Sequence, residues 1–539
     1  MKVSGRIIDI PNRRIFAGEI TVENGKIASI EELEMAPEHF IMPGFIDSHV
    51  HIESSMVSPS NFAEIAVKHG TVATISDPHE IANVMGIEGV DFMIKNGKTV
   101  PFKFFFGAPS CVPSTSFETA GYTVDAEQVA KLMSSPDIWF LAEMMNSVGV
   151  VNDDKEIMDK IQSAIKVGKP IDGHAPLLSG EQLDKYVNAG ISTDHECTNI
   201  EEAEEKISKG MKILIREGSA ARDFDALYPL IDKYPNEVML CTDDCHPDEL
   251  MRGHINVKVK KAIELGVDLF KILQVACLNP VKHYKIPVGT LNVGDAADFI
   301  IVDDWRKMNV EQVYINGNLV FDEGKTLFES SPFVPINNFS RNKVSIEDIA
   351  LNASSENIKV MVAKDGELLT DQILAKAKIE NGKAVSDIEN DILKIVVFSR
   401  YDNTKPGIGF IKGIGIKNGA LACSVAHDSH NIIAVGTSDE HLVKAINKIV
   451  EGKGGLCAID DASCEYLPLP LAGLMSDRKA QEVAAFYSVV NQKAKEMGTM
   501  LRAPFMTLAF MPLLVIPKLK ISDKGLFDAS KFEFTSVFA

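Results

Sequence analysis

Residues 44–51 read Gly44-Phe-Ile-Asp-Ser-His49-Val-His51, a short apolar strand that ends in two histidines separated by one residue. Seven more runs rich in β-branched and aromatic residues follow it, each separated from the next by a turn and a segment with helical patterning. The eight runs cover residues 44–49, 71–77, 102–108, 138–145, 170–174, 191–195, 212–217 and 237–243. Eight alternating strand and helix units predict an α/β fold, a TIM-like (β/α)8 barrel over residues 43–284.

Two helix starts inside this region carry a capping-box pattern. Ser179 is followed three residues later by Gln182, and Thr198 is followed at the same distance by Glu201. A hydroxyl at the N-cap and a Glu or Gln at N3 can satisfy two free backbone N–H groups. We therefore expect helices to begin just after Ser179 and Thr198.

The flanks of this region show a different pattern, short strands joined by turns. Asn24-Gly25 and Asn316-Gly317 are both signals for a tight hairpin. We expect residues 1–42 and 285–335 to pair into one small β-sandwich domain, with the barrel as an insertion. Residues 336–539 are numerous enough to fold alone, and their mixed pattern predicts a C-terminal α+β domain.

Composition restricts the partners and the compartment. The net charge of -20 works against a nucleic-acid surface or an anionic membrane as partner, so a small-molecule substrate is expected. The longest apolar stretch, residues 505–516, is too short to cross a bilayer. The eight cysteines are spread singly and the N-terminus does not resemble a secretory signal, which predicts a cytoplasmic protein with reduced thiols.

Metal-ligating side chains recur at the ends of the predicted strands. In a (β/α)8 barrel the carboxyl ends of the strands meet at one face, where active sites lie. Side chains alternate along a strand, so the two histidines of strand one point to the same side and can share a cation. Six ligands are enough for two divalent metals, and the predicted set is His49, His51, Glu143, His174, His195 and Asp243.

Further polar residues near these strand ends are candidates for catalysis or substrate binding. His79 and Glu80 follow strand two, where they can act as acid and base or can simply begin a helix. Ser110 and His246 are candidate substrate contacts, and Arg216 can serve either substrate or a salt bridge.

Two questions stay open at this stage. Asp243 and Asp244 are adjacent, and only one of them is expected to face the metals. In the last domain His427, Asp428 and His430 can reach the barrel mouth, bind another metal, or lie in a solvated turn.

The ligand pattern resembles that of the amidohydrolase superfamily, except that Glu143 stands where many binuclear members have a carboxylated lysine. Within that superfamily, several stretches resemble the adenine deaminases of bacteria and archaea. They are Pro43-Gly-Phe-Ile-Asp-Ser-His-Val-His-Ile-Glu-Ser-Ser55, Asp77-Pro-His-Glu80, Ala142-Glu-Met-Met-Asn146, Thr242-Asp-Asp-Cys-His-Pro247 and Ser424-Val-Ala-His-Asp-Ser-His-Asn431. The resemblance therefore extends over nearly the whole chain.

This resemblance implies hydrolysis of adenine to hypoxanthine and ammonia by a metal-activated hydroxide, as a step of purine salvage. It also implies a binuclear site with Mn2+ or Fe2+, proton transfer by Asp243, a metal bridge through Glu143, and a homo-oligomer, often a dimer. One alternative is another amidohydrolase that acts on a cyclic amide or an N-acyl substrate. The other is a catalytically silent scaffold with the same fold, which the complete set of ligands disfavours.

Overall fold

The computed structural model describes residues 1–219 and 221–539. The chain begins with four strands: β1 (Lys2–Asp9), β2 (Arg14–Glu23), β3 (Lys26–Glu32) and β4 (Phe40–Pro43). β2 and β3 form an antiparallel hairpin whose turn residues Asn24 and Gly25 both have positive φ, 50° and 76°. Two consecutive positive φ angles suit the right-handed twist of a hairpin, and this is why Asn-Gly occurs there.

Eight parallel strands follow, and we call residues 45–284 the parallel unit. The strands are β5 (Phe45–Val50), β6 (Thr71–Ser76), β7 (Lys103–Ala108), β8 (Ile138–Met144), β9 (Ile171–Gly173), β10 (Thr193–Asp194), β11 (Lys212–Arg216) and β12 (Val238–Cys241). β5 to β9 form one parallel sheet and β10 to β12 another. A parallel bridge between Val50 and Asp243 joins the first strand to the end of the last. Each strand overlaps one of the eight runs predicted from the sequence.

Helices connect these strands. They are α1 (Pro59–Ala66), α2 (His79–Met85), α3 (Ile87–Gly97), α4 (Ala126–Met133), α5 (Ser147–Val151), α6 (Lys155–Val167), α7 (Gly180–Asn188), α8 (Ile200–Ser208), α9 (Phe224–Leu227), α10 (Pro229–Lys233), α11 (Pro247–Leu250), α12 (Ile255–Glu264), α13 (Leu269–Leu273) and α14 (Asn279–Tyr284). Short 3-10 turns cover Ile52–Ser55 and Val67–His69, and a π-helical turn covers Gln274–Leu278.

The predicted helix starts differ from the structure in detail. Ser179 is the N-cap of α7, but its side chain makes no capping hydrogen bond. The N-cap of α8 is Asn199 rather than Thr198, and its side chain accepts from the Glu202 N–H at 2.9 Å. Asn is as good an N-cap as Thr or better, so the helix begins one residue later than expected.

The two flanks of the parallel unit join in one sheet. After α14 come β13 (Phe299–Val302), β14 (Val310–Ile315), β15 (Asn318–Asp322) and β16 (Lys325–Thr326), and the sheet order is β16-β15-β14-β13-β4-β1-β2-β3. β4 pairs with both β1 and β13, so hydrogen bonding runs through all eight strands as one sheet, where the sequence predicted a sandwich. Ile7, Ile41 and Phe299 lie in its separate core.

Residues 336–539 form a third unit, here called the C-terminal unit. Its strands are β17 (Asn357–Val362), β18 (Asp371–Lys376), β19 (Lys378–Glu380), β20 (Lys383–Val385), β21 (Leu393–Phe398), β22 (Gly407–Lys412), β23 (Ala420–Cys423), β24 (Ile432–Gly436), β25 (Gly455–Ile459), β26 (Cys464–Pro468), β27 (Leu519–Ser522), β28 (Gly525–Asp528) and β29 (Glu533–Phe534). Its helices are α15 (Asp439–Gly452), α16 (Ala480–Glu496) and α17 (Pro504–Ala509), with a 3-10 turn at Ile346–Ile349. The main sheet has the order β18-β17-β22-β21-β24-β23-β25-β26.

The C-terminal unit packs on the loops that follow the parallel strands. The Ser476 N–H donates to the Met56 carbonyl at 2.8 Å, and the Asn431 side chain donates to the Thr119 carbonyl at 2.8 Å. These contacts place the stretch that connects β23 to β24 above the carboxyl ends of the parallel strands. Among the described residues, no helix combines the length and apolar character needed to span a bilayer.

Candidate metal centre

Two histidines at the end of β5 form the first part of the site. His49 and His51 are 0% and 3% exposed, and their Nε2 atoms lie 3.1 Å apart. His51 Nδ1 lies 3.2 Å from the Asp77 carbonyl oxygen, a position in which it donates its N–H. This contact fixes the tautomer that leaves a lone pair on Nε2, the arrangement found in metal-ligating histidines.

Glu143, in β8, lies between this pair and two other histidines. Its Oε1 is 3.3 Å from His51 Nε2, while its Oε2 is 2.9 Å from His174 Nδ1 and 3.3 Å from His195 Nε2. Burial raises the pKa of this carboxyl, but the hydrogen bonds from His174 and His195 hold it well below its usual range. A charged carboxylate that faces two sets of ring nitrogens can bridge two cations.

The structure distinguishes the two adjacent aspartates. Asp243 Oδ1 lies 3.1 Å from His51 Nε2 and 3.4 Å from His49 Nε2. Asp244 also lines the cavity, but its carboxylate accepts a hydrogen bond from the Ser54 hydroxyl at 2.5 Å. Asp243 adopts a positive φ of 57°, and of the two carboxylates it is that of Asp243 that lies within 3.5 Å of His49 and His51.

These six side chains fit a divalent metal. All are buried, and they place four imidazole rings and two carboxylates around one space, the combination that Zn, Mn and Fe bind in proteins. The ligand atoms of Glu143, His174 and His195 lie within 4.8 Å of one another, and so do those of His49, His195 and Asp243. This close spacing of buried donor atoms indicates a cation site.

His79 and Glu80, the first two residues of α2, also reach this space. His79 Nδ1 is 3.1 Å from Asp77 Oδ2 and 3.4 Å from Glu143 Oε1. Glu80 is fully buried, and its Oε1 lies 3.1 Å from His427 Nδ1 in the C-terminal unit. Both residues therefore lie inside the site and not on a solvated helix end.

Arg216 and Glu196 form an ion-paired support behind the ligands. Arg216 Nη2 lies 3.1 Å from Glu196 Oε2, and Nη1 lies 2.9 Å from Asp243 Oδ2. Glu196 Oε1 also lies 3.5 Å from His174 Nδ1. Sequence reasoning did not single out Glu196, although its position directly after His195 was a signal that could have found it.

Ser110 and His246 lie deeper than expected. The Ser110 hydroxyl donates to the Glu143 carbonyl at 2.5 Å, and His246 Nδ1 is 2.6 Å from the Tyr487 hydroxyl in α16. Burial lowers the pKa of His246 to about 3. The cavity wall does not include Ser110, His246 or Arg216. Direct contact with substrate stays a prediction for these three residues.

The predicted ligands, His49 excepted, border a cavity, part of whose wall comes from the C-terminal unit. His427 and Asp428 contribute polar groups there, and Leu368, Phe510 and Leu513 contribute an apolar surface. The His427 ring stacks on Phe510 with 4.2 Å between centroids and 9° between planes. The three apolar residues could not be found from the sequence, because they look like ordinary core residues.

Comparisons with known proteins cover the whole chain. Residues 40–320 match the amidohydrolase family, and residues 367–533 match the adenine deaminase C-terminal domain. An adenine deaminase of Methanosarcina acetivorans is 54% identical over 549 residues, covering 100% of this chain and 99% of that protein. An adenine deaminase of Borreliella burgdorferi is 50% identical over 541 residues, covering 99% of both chains. Among solved structures, N-acetyl-D-glucosamine-6-phosphate deacetylase from Mycobacterium smegmatis aligns with a TM-score of 0.47 at 12% identity, covering 60% of this chain and 100% of that chain.

Proposed function

The chain belongs to the adenine deaminase family of amidohydrolases and hydrolyses adenine to hypoxanthine and ammonia, and we propose that it does so with a binuclear site of Mn2+ or Fe2+. The observation that carries the proposal is the position of Glu143. One of its oxygens faces His51 and the other faces His174 and His195, at 2.9 to 3.3 Å. A carboxylate shared in this way is suited to hold two ions, and His49 and Asp243 would complete the set of residues that hold them.

Metal ions bound by these residues would supply Lewis acidity, which lowers the pKa of a coordinated water to about 7. The rest of the chemistry falls to the side chains. C6 of adenine is an amidine carbon, and its conversion to a carbonyl requires attack by water, a proton for the leaving amino group, and loss of ammonia.

Asp243 is the proposed acceptor of the water proton. Arg216 holds its Oδ2 at 2.9 Å, which leaves Oδ1 directed toward the histidines and the cavity. A carboxylate fixed by one oxygen can accept a proton at the other without rotating. That proton then moves toward the purine nitrogens as ammonia leaves.

His79 and Glu80 are the proposed acid and base on the substrate side. Both side chains line the cavity, and His79 lies between Asp77 and Glu143. Groups within hydrogen-bond reach of a bound ring can exchange protons with it, a contribution of about 10² to 10⁴ in rate.

The cavity combines polar groups with an apolar wall, as sites for small ligands do. Met145, Leu368, Phe510 and Leu513 give it an apolar wall on which a purine ring can pack.

The wider organisation belongs to the same proposal. We take the two parallel sheets to close as a (β/α)8 barrel inserted in a small β domain of residues 1–42 and 285–335, with residues 336–539 as the third domain. The bridge between Val50 and Asp243 supports closure.

The proposed compartment is the cytoplasm, where the eight cysteines, all free thiols, would stay reduced. A homo-oligomer, most simply a dimer, is proposed from the family resemblance.

Turnover of adenine by the Mn2+-loaded protein tests the proposal. We expect ammonia release together with a shift of the ultraviolet spectrum from adenine to hypoxanthine, at two bound metals per chain. Dihydroorotate and N-acetylglucosamine 6-phosphate serve as amide substrates of rival amidohydrolases. Cleavage of either one, with full metal occupancy and no ammonia from adenine, would reject the proposed activity.

A further inference from the structure

His427 lies in the stretch between β23 and β24 and has no part in the proposed proton transfers. It is 2% exposed and lines the cavity beside Glu80 and Asp428. Its Nδ1 lies 3.1 Å from Glu80 Oε1, so the N–H at this nitrogen donates a hydrogen bond to the carboxylate. Its Nε2 has no hydrogen-bond partner among the described residues.

The ring of His427 is held in one orientation. It lies flat against Phe510, and its backbone N–H donates to the Ala509 carbonyl at 2.9 Å. Arg400, fully buried, ties the same stretch to its neighbours by donating to the carbonyls of Ser424, His430 and Ala472. Because the ring cannot turn easily to find another partner, its Nε2 is preorganised toward the cavity.

The surroundings of His427 favour a proton on both ring nitrogens. Burial lowers the pKa of the ring, but the negative charges of Glu80, Asp244 and Asp428 outweigh burial and raise the pKa to about 9. The protonated ring carries an N–H at Nε2, and a buried donor without an acceptor costs about 1 to 3 kcal/mol. A substrate acceptor in the cavity would remove this cost.

A third cation is the rival occupant, since Glu80, His427 and His430 each offer a ligand atom within a span of 4.8 Å. His430 argues against it. The Ala426 N–H donates to His430 Nδ1 at 3.4 Å, which places the ring proton of a neutral imidazole on Nε2. With the Nδ1 lone pair engaged and the proton on Nε2, the neutral His430 ring has no free lone pair for a cation.

We propose that the Nε2–H of His427 donates a hydrogen bond to a ring nitrogen of adenine, so that the C-terminal unit takes part in purine recognition. The inference rests on the proposed function. Adenine carries no oxygen, and its acceptors are ring nitrogens, so a charged N–H donor fixed in the wall of the cavity suits it. Glu80, in the parallel unit, orients this donor through its contact with His427 Nδ1. The binding site is therefore complete only when the parallel unit and the C-terminal unit are packed together.

The test compares His427→Gln with His441→Gln, a histidine of α15 that pairs with Asp461 and does not line the cavity. Binding of purine, which keeps the ring nitrogens of adenine but has no amino group to lose, is measured by calorimetry on the Mn2+-loaded proteins, and KM and kcat are measured with adenine. A hydrogen bond to a charged donor contributes about 1.5 to 3 kcal/mol, so Kd and KM should rise about 10- to 100-fold in His427→Gln. Metal content should stay at the wild-type value, and His441→Gln should bind like wild type.

A second experiment identifies the ring nitrogen of adenine that accepts this hydrogen bond. Affinities of 1-deaza-, 3-deaza- and 7-deazaadenine are compared between wild type and His427→Gln. The analogue that lacks the acceptor should bind equally weakly to both proteins, whereas the other two should still distinguish them.

Two outcomes would overturn the proposal: an unchanged Kd and KM in a folded His427→Gln, or loss of a third bound metal from that variant, which would identify a cation ligand. The calorimetry needs no turnover. A wild-type protein that binds purine more tightly than His427→Gln does but releases no ammonia from adenine would contradict the proposed function and leave the His427 contact standing.

Discussion

Arg216 and Asp243 lie at the ends of neighbouring parallel strands and are joined by a hydrogen bond of 2.9 Å between Nη1 and Oδ2. The same guanidinium contacts Glu196 and Asp223, so one buried cation holds three carboxylates in place. The other oxygen of Asp243, Oδ1, faces His49 and His51 at the cavity. Arg216 therefore supports the carboxylate of Asp243, the proposed proton acceptor. Substituting Arg216 removes this support and leaves all six predicted metal ligands in place.

Replacing Arg216 with Met should destabilise the protein and slow the reaction. Two buried carboxylates, those of Glu196 and Asp243, and the partly buried carboxylate of Asp223 would lose their cation. Breaking a buried pair costs about 3 to 5 kcal/mol. Arg216→Lys keeps the charge but not the forked geometry, so it should lose less stability while kcat still falls. Thermal unfolding and adenine kinetics measure the two effects. Arg222→Met, at a half-buried arginine paired with Glu249, is the control, and an equal loss there would argue against a specific role for Arg216.

Glu143→Gln should lower the bound metal from two ions per chain to one or none. The amide has nearly the shape of the carboxylate but lacks the charge that faces His51, His174 and His195. Metal analysis after gel filtration measures the change, with exposed Glu181→Gln as the matched variant. Full occupancy in Glu143→Gln would remove the bridge from the proposed site.

Glu80→Gln should lower kcat by about 10²-fold or more, because the substrate side of the cavity would lose a proton acceptor. Its metal content should match that of wild type, since Glu80 lies outside the six predicted ligands. Exposed Glu88→Gln in α3 controls for the loss of a charge. A parallel loss of metal in Glu80→Gln would assign it to the metal centre and not to proton transfer.

Addition of Mn2+ to the metal-free protein should raise the melting temperature. A ligand that binds only the folded state stabilises it, by about 2.7 kcal/mol at a hundred times its Kd. The His49→Ala variant should show a clearly smaller rise, because it lacks one ring nitrogen of the pair 3.1 Å apart. Equal shifts in both proteins would place the ion elsewhere.

Lys520 predicts a pH dependence of stability that arises away from the metal ligands. Its ammonium is fully buried and donates to the carbonyls of Leu368 and Phe510 at 3.0 and 3.1 Å. Burial lowers its pKa from 10.5 to about 7. Between these values the unfolded chain binds a proton that the folded chain does not, so stability contributed by this group rises with pH across that window.

The Lys520→Met variant should lack this rise. Relative to the variant, the wild-type melting temperature should increase between pH 7 and pH 10, and the exposed Lys531→Met variant should keep the wild-type slope. Parallel slopes in wild type and Lys520→Met would show that the buried amine keeps its ordinary pKa.

Much of the parallel unit could be predicted from local patterns. The eight apolar runs predicted the strands, and the residues at their ends include the six side chains that the structure brings close together. Two details were harder to predict. Asn199 and not the adjacent Thr198 caps α8, because neighbouring polar residues compete for the cap position. The two flanks share one continuous sheet, which depends on pairing between strands far apart in the chain. The apolar cavity residues Leu368, Phe510 and Leu513 carried no signal, because burial in a core and burial against a substrate demand the same side chains.

The sequence by itself determined the position of the chemistry in this protein. A period of two along a strand puts His49 and His51 on one side, and the carboxyl ends of parallel strands meet at one edge, so both facts follow from local backbone geometry. Only the tertiary structure decided that Asp243 and not Asp244 faces them, that Arg216 is ion-paired, and that His427 meets Glu80 above the site. These contacts join segments far apart in the chain, and they depend on how whole surfaces pack, which no local pattern encodes.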